Sequence, residues 1–366
     1  MGGFLAGSQV HQPKTGLSRV PRLSAPLKKA AEATFFNAFG ALTIPAADYY
    51  IGGYMETINK VTLIGAGAVG AVVASSLTQY LGKSNVQILA DGERLNRYKT
   101  EGIYINGIFQ DFNYVSPANA QKTDLVIIAT KNLQLNQALD EIKNTLKEDT
   151  IILSLLNGIQ SERDIAARYG WERTVYGFVL SLNSIHEKNK IECTNRGTLY
   201  FGEKDNSITP RITALKNLFT SAQIKNCCPE NIHLEQWKKL LINVTFNTLS
   251  ALCRSTYGAF NLSVMQELAL KTGSEVIQVA NAENVPLTHQ MLEKDIELMC
   301  SHDPVGKTSM LQDIEAGRET ENAWFCGTIM SLAEKHGIDT PVCRMLYSLI
   351  KGTEESEKYV RTLKAK

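Results

Sequence analysis

Apolar positions along the chain follow two different periods. Between Val61 and Cys227 they come in short runs: Val61–Ile64, Val86–Ala90, Asp124–Ala129, Thr150–Leu155, Val175–Leu182, Thr198–Gly202 and Ile224–Cys227. Runs of this length, rich in β-branched residues, read as strands, the most apolar of them buried on both faces of a parallel sheet. Gly102–Gly107 and Phe112–Val115 read as shorter strands. Ala71–Leu81, Leu133–Leu146 and Arg211–Phe219 read as intervening helices, the alternation of an α/β sheet. From Asn231 onward the strand signals stop, and long helical patterns over Leu234–Cys253 and Thr308–His336 predict an all-α region.

The first strand runs straight into Gly65-Ala66-Gly67-Ala68-Val69-Gly70 and then into a helix. Strand, G-x-G-x-x-G and helix in that order form the dinucleotide-binding fingerprint. Gly65 makes the turn, Gly67 lets a pyrophosphate approach the backbone, and Gly70 lets the helix pack on its strand. The helix N-terminus offers unpaired N–H groups and partial positive charge. The expected fold is therefore an α/β Rossmann-type domain over residues 55–228, followed by an all-α substrate domain over 229–366. At the end of the second strand Asp91 suits a ribose hydroxyl, while Arg94 and Arg97 suit a 2′-phosphate, so the cofactor signal is mixed. Lys131 and Asn157 follow later strands at the carboxyl edge where such sheets bind ligands. Lys131 is a candidate for cofactor phosphate, and Asn157 for the nicotinamide crevice.

Two of the helical patterns carry polar stripes. In Leu234–Cys253, Lys239, Asn243 and Asn247 recur at i, i+4 and i+8, with Ser250 close behind. Unpaired amines and carboxamides inside a core cost about 1–3 kcal/mol each, so the stripe has to face water, a partner or a ligand. Ser309, Asp313, Gly317 and Glu321 repeat the spacing in Thr308–His336, where a helix-interior Gly317 would permit a close approach.

Composition narrows the classes. With 366 residues, 44% hydrophobic and 20% charged, the chain matches a soluble globular protein of two domains. A net charge of +1, without Lys/Arg runs interleaved with aromatics, argues against nucleic acid as a partner. Seven scattered cysteines without a C-x-x-C pair fit a reduced, cytoplasmic protein. Cys300-x-His302 is the one close Cys/His pair, and no metal is expected. Gly306-Lys307-Thr308 ends like a P-loop, but Ser301 occupies the place of its first glycine. Residues 1–54 differ from the rest. They hold five Lys/Arg against Glu32 before Thr34, then an apolar stretch, Phe35–Met55, broken by Asn37, Pro45 and Asp48. No membrane span is expected there, and Ala6 fails the myristoylation pattern. The segment reads as a poorly ordered or non-native extension, either a targeting peptide or an over-extended gene start with Met55 as the natural beginning.

From Lys60 to Tyr359 the chain resembles the NADPH-dependent ketopantoate reductases (2-dehydropantoate 2-reductases). The markers are GAGAVG at Gly65–Gly70, ATKNLQ at Ala129–Gln134, LNG at Leu156–Gly158, WKKLLINVTFNTLSAL at Trp237–Leu252 and KTSMLQDIEAGRETE at Lys307–Glu321. The resemblance implies reduction of 2-dehydropantoate to (R)-pantoate in pantothenate and CoA biosynthesis. It implies Lys239 as catalytic lysine and general acid, with Asn243, Asn247 and Ser309 as substrate ligands. Glu321 would bind the substrate hydroxyl and hold the lysine, Asn157 would touch substrate and cofactor, and Lys131 the cofactor phosphate. The family's usual cofactor is NADP(H); Asp91, where Arg is common, leaves NAD(H) open. Asn322 departs from the usual apolar residue. The expected partner is a small 2-oxo acid, with no membrane, and a homodimer is left open. Two other readings remain: a reductase of a different 2-oxo acid, and a non-catalytic NAD(P)-sensing module, which has no use for the set Lys239, Asn243 and Glu321.

Overall fold

The computed structural model describes residues 57–364; the expectations for residues 1–54 lie outside them. In chain order, β1 (Val61–Ile64), α1 (Ala68–Leu81), β2 (Val86–Leu89), α2 (Gly92–Glu101), β3 (Ile103–Ile105), β4 (Ile108–Gln110) and β5 (Asn113–Val115) come first. They are followed by β6 (Leu125–Ile128), α3 (Leu135–Glu141), β7 (Ile151–Ser154) and α4 (Ser161–Tyr169). A long hairpin of β8 (Thr174–Glu187) and β9 (Lys190–Gly202), then α5 (Pro210–Ser221) and β10 (Asn226–Cys227), complete this half.

The strands form one curled mixed sheet. Strands β5, β2, β1, β6, β7 and β8 lie side by side in parallel, with Val61 opposite both Val86 and Leu125. β8 then turns antiparallel to β9, and β3, β4 and β10 continue from there. The four residues of β1 are all buried, as the apolar run requires of a strand covered on both faces. Val61 and Leu63 join the core beneath α1 and α5, whereas Ile64 joins the core beneath α3 and α4. Each such fully buried side chain contributes about 1.5–3 kcal/mol relative to exposure. The carboxyl ends of β1, β2, β6 and β7 are thereby fixed along one edge.

Helices alone follow. They are α6 (Ile232–Ile242), a π-helical turn over Asn243–Asn247, α7 (Thr248–Cys253), α8 (Ser263–Ala282), α9 (His289–Ser301), α10 (Ser309–Glu315), α11 (Cys326–His336) and α12 (Pro341–Lys364). The side chain of Asn231 caps α6 through the Leu234 N–H, and Thr308 caps α10 through Leu311. Trp237, Leu240, Leu241, Val244 and Phe246 anchor the α6 run in the helical core, and Ile232 packs on Tyr176 and Phe178 of β8.

Three features depart from the sequence reading. Thr308–His336 is two helices, because α10 ends at Glu315 and Gly317 takes φ +61°. The Arg318 N–H bonds the Asp313 carbonyl and the Gly317 N–H bonds Ile314, closing a Schellman motif. A Cβ on Gly317 would lie 1.6 Å from the Arg361 guanidinium, so the approach expected there is made by a side chain of α12. The β8–β9 hairpin reaches Glu187 and Lys190, beyond Val175–Leu182 and Thr198–Gly202; its outer half carries no apolar run, because only alternate residues of β9, Ile191 and Cys193, are buried there. Finally, α2, α4 and β4 form where no element was expected.

Candidate active site

The glycine loop meets the geometric demands of a dinucleotide. Gly65 has φ +97°, and a Cβ on it would fall 2.5 Å from the Ala129 and Thr130 backbone. A Cβ on Gly70 would sit 1.9 Å from the Gly65 carbonyl oxygen. Gly67 faces open space, with nothing within 4 Å of a Cβ position. The helix that starts here has no side-chain cap and no acidic residue in its first turn. The first helical bond runs from the Ala71 N–H to Gly67, which leaves the amides of Ala68, Val69 and Gly70 facing the loop mouth. Beside the loop, the hydroxyl of Thr130 is buried and unpartnered, as befits a group awaiting a ligand. The residues present therefore fit a pyrophosphate.

At the end of β2, Asp91 is exposed and unpaired among the described residues. Arg94 is engaged elsewhere: its guanidinium holds both carboxylate oxygens of Glu141, at 2.9 and 2.7 Å. Its Nε stays buried without a partner, so the role expected of Arg94 toward a 2′-phosphate would require sharing or exchanging Glu141. Arg97 remains exposed, 5.9 Å from the Tyr98 ring centre. At the end of β6, Lys131 pairs with Asp313 of α10 at 2.6 Å. Asn132 donates to the Asn157 carbonyl and to Glu321 Oε1, both at 2.9 Å. Asn157 donates to Glu321 Oε2 at 2.7 Å. Both oxygens of the buried Glu321 carboxylate are thus pinned by amides from the sheet edge, 189 and 164 residues away in sequence.

The α6 run brings the polar stripe to the same region. The Lys239 side chain is half-buried, and its amine lies 5.4 Å from the Phe178 ring centre. Burial of the charge lowers its pKa from 10.5 to about 8, opposed by Glu321 and then by Glu162. Asn247 donates to Asn243 Oδ1 at 3.1 Å, which leaves Asn243 Nδ2 a buried donor with no partner. These two residues bound a π turn rather than a regular helical turn, a distortion frequent at functional sites. Ser250 is spent structurally, donating to the Ser255 carbonyl and accepting from Thr308, which ties α7 to α10. Ser309, the first residue of α10, keeps an exposed hydroxyl. Among the described residues no group of three or more His, Cys, Asp or Glu is placed to hold a metal, and no helix is long and apolar enough to cross a membrane.

Three groups at this cluster escaped the sequence reading. Asn132 lies inside the ATKNLQ stretch, next to Lys131, and its position at a strand end was the available signal. Asp313 was seen only as one step of a stripe, yet it receives both Lys131 and Arg318. Glu162, wholly buried on α4, looks in sequence like an ordinary acidic residue in a helix's first turn.

Comparison with known proteins gives the family. Residues 61–206 match the family model described as ketopantoate reductase PanE/ApbA, and residues 231–354 match its C-terminal model. A 2-dehydropantoate 2-reductase of Streptococcus pyogenes is 28% identical over 309 residues, covering 80% of this chain and 97% of its own. The crystal structure of 2-dehydropantoate 2-reductase from Geobacter metallireducens superposes with a TM-score of 0.73 at 25% identity, over 80% of this chain and 99% of that one. A D-mandelate dehydrogenase solved with NADH and anilino(oxo)acetate shares the fold, with a TM-score of 0.73 at 24% identity over 81% and 99%. Because the two family models span the sheet edge and the helical stripe alike, the chain belongs to the ketopantoate reductase family and is an NAD(P)-dependent oxidoreductase.

Proposed function

We propose that the chain reduces 2-dehydropantoate to (R)-pantoate, with residues 55–228 holding the nicotinamide cofactor and residues 229–366 supplying the groups that meet the substrate. The observation that carries this reading is the unpartnered, buried Asn243 Nδ2 on the same helical run as the half-buried amine of Lys239, with Glu321 acting on that amine. The bound nicotinamide supplies the hydride. The chain's own residues handle charge and position. With its pKa near 8, Lys239 is mostly protonated at neutral pH and can both stabilise and protonate a developing alkoxide. Asn243 offers a donor to a substrate oxygen. Ser309 and Asn247 offer further polar contacts, to the carboxylate and the hydroxyl end. Glu321, an acceptor whose orientation Asn132 and Asn157 fix, suits the hydroxyl of a hydroxylated 2-oxo acid. Asn157 bridges the cofactor side and the substrate side.

For the cofactor, the reading favours NAD(H) over the NADP(H) expected from the resemblance. Asp91 has a free carboxylate where a ribose hydroxyl would lie, and Arg94 is committed to Glu141. Lys131 would reach a cofactor phosphate only by exchanging its bond to Asp313. The test is oxidation of NADH and of NADPH by purified protein across a panel of 2-oxo acids. The highest kcat/KM is expected with 2-dehydropantoate and NADH; no turnover of 2-dehydropantoate alongside rapid reduction of another acid would overturn the substrate, and a preference for NADPH the cofactor.

A further inference from the structure

Hydrogen-bonded to the helix that carries Lys239 is a second buried carboxyl that the mechanism above does not use. Glu162 is wholly buried at the start of α4, where an isolated ionised carboxyl is costly. Its surroundings are built from donors. Gln236 Nε2 donates to Oε1 at 3.0 Å, the Gly177 N–H reaches the same oxygen at 3.4 Å, and Ser161 Oγ bonds Oε2 at 3.0 Å. Ser161 is in turn joined to Ser154 at the end of β7, at 2.7 Å. Oε1 faces two obligate donors, Gln236 and the Gly177 N–H, whereas Ser161 beside Oε2 can donate or accept because Ser154 can take either role. Gln236 stands three residues before Lys239 on α6, one turn along the same face. The network therefore runs from the sheet edge, through α4, to the helix that carries the amine.

We propose that Glu162, oriented by Gln236, is a positioning residue that keeps the Lys239 amine in its proton-bearing form. This rests on Lys239 serving as the proton donor. The charged groups acting on Lys239 are Glu321, from the segment after α10, and Glu162 from α4, with the Phe178 ring of β8 below. Tyr176 of β8 also lies against Glu162, but its hydroxyl is pushed up to about 12 by burial and stays neutral. Burial raises the Glu162 carboxyl to about 7, against the donors that lower it. It therefore ionises just as pH climbs toward the range in which Lys239 would lose its proton, and its negative charge arrives where it delays that loss.

The experiment is the pH dependence of kcat/KM for 2-dehydropantoate reduction in wild type, Glu162→Gln and Gln236→Leu. Removing the charge should move the basic limb to lower pH by roughly half a unit, about a threefold loss near pH 9. Gln236→Leu should move it the same way by less, and it decides the matter if Glu162→Gln does not fold. A basic limb that stays in place, with activity lowered equally at every pH, would overturn the proposal and leave Glu162 a packing residue. Lys239→Met run in parallel separates the two readings. Near-normal turnover in that variant refutes the lysine's role, whereas an inactive Lys239→Met with an unmoved limb in Glu162→Gln refutes only the role of Glu162.

Discussion

The sharpest test of the proposed chemistry is removal of the Lys239 charge at constant shape, as in Lys239→Met. With a pKa near 8, about nine-tenths of the amines carry a proton at pH 7, so the variant removes a group that is almost fully charged in the working enzyme. A positioned general acid contributes about 10²–10⁴ in rate, and a charge-stabilising donor about 10²–10³. One ammonium performs both tasks, so the two ranges overlap rather than multiply. The expected loss in kcat is about 10³–10⁴, or about 4–5.5 kcal/mol of transition-state stabilisation. Methionine keeps the packing over Phe178, so cofactor affinity should hold within a few-fold. Steady-state kinetics followed by loss of reduced nicotinamide, together with a cofactor-binding titration, measures both. A variant with kcat within about tenfold of wild type and intact cofactor binding would refute the reasoning. Lys239→Arg completes the comparison. Its guanidinium stays charged at all working pH, so residual activity should show no fall above pH 8.

In the wild type, kcat/KM for ketone reduction should hold below about pH 8 and fall above it, because the lowered pKa of Lys239 brings loss of the proton donor into that range; a profile flat to pH 10 would count against this. Glu321→Ala leaves the amides of Asn132 and Asn157 without their acceptor, so it should raise the KM for 2-dehydropantoate about tenfold and cost about 1–3 kcal/mol in denaturant unfolding. Gly70→Ala forces a methyl to 1.9 Å from the Gly65 carbonyl, and cofactor titration should show affinity reduced by at least about tenfold. Asp91→Ala should shift the ratio of kcat/KM for NADPH over NADH upward by about tenfold, read directly from initial rates with each cofactor.

Much of this arrangement can be read without coordinates, for definite physical reasons. The buried run Val61–Ile64 and its glycines are local features, and the structure keeps them at the expected place. The stripe of Lys239, Asn243 and Asn247 was visible because carboxamides are conspicuous on an otherwise apolar helix. What escaped depends on distant pairing. No local pattern joins Asn132 to Glu321, or Lys131 to Asp313. Arg94 looked free for a phosphate because Glu141, its partner, sits far along the chain on α3. The break after Glu315 was legible in Gly317, but the helical spacing on either side masked it. Glu162 was hidden for a different reason: burial inverts the usual meaning of an acidic first turn, and burial is a property of the fold.

The π turn over Asn243–Asn247 carries a consequence for how this segment can change in length. Such a turn holds one more residue than the α-helix it interrupts, and each residue of a regular helix advances about 100° around its axis. Deleting one amino acid there would restore a regular α-helical turn with its flanks close to their present phase, but would remove or displace one of the two carboxamides, Asn243 and Asn247. Among relatives of this chain, the spacing from Lys239 to Asn247 should therefore stay constant.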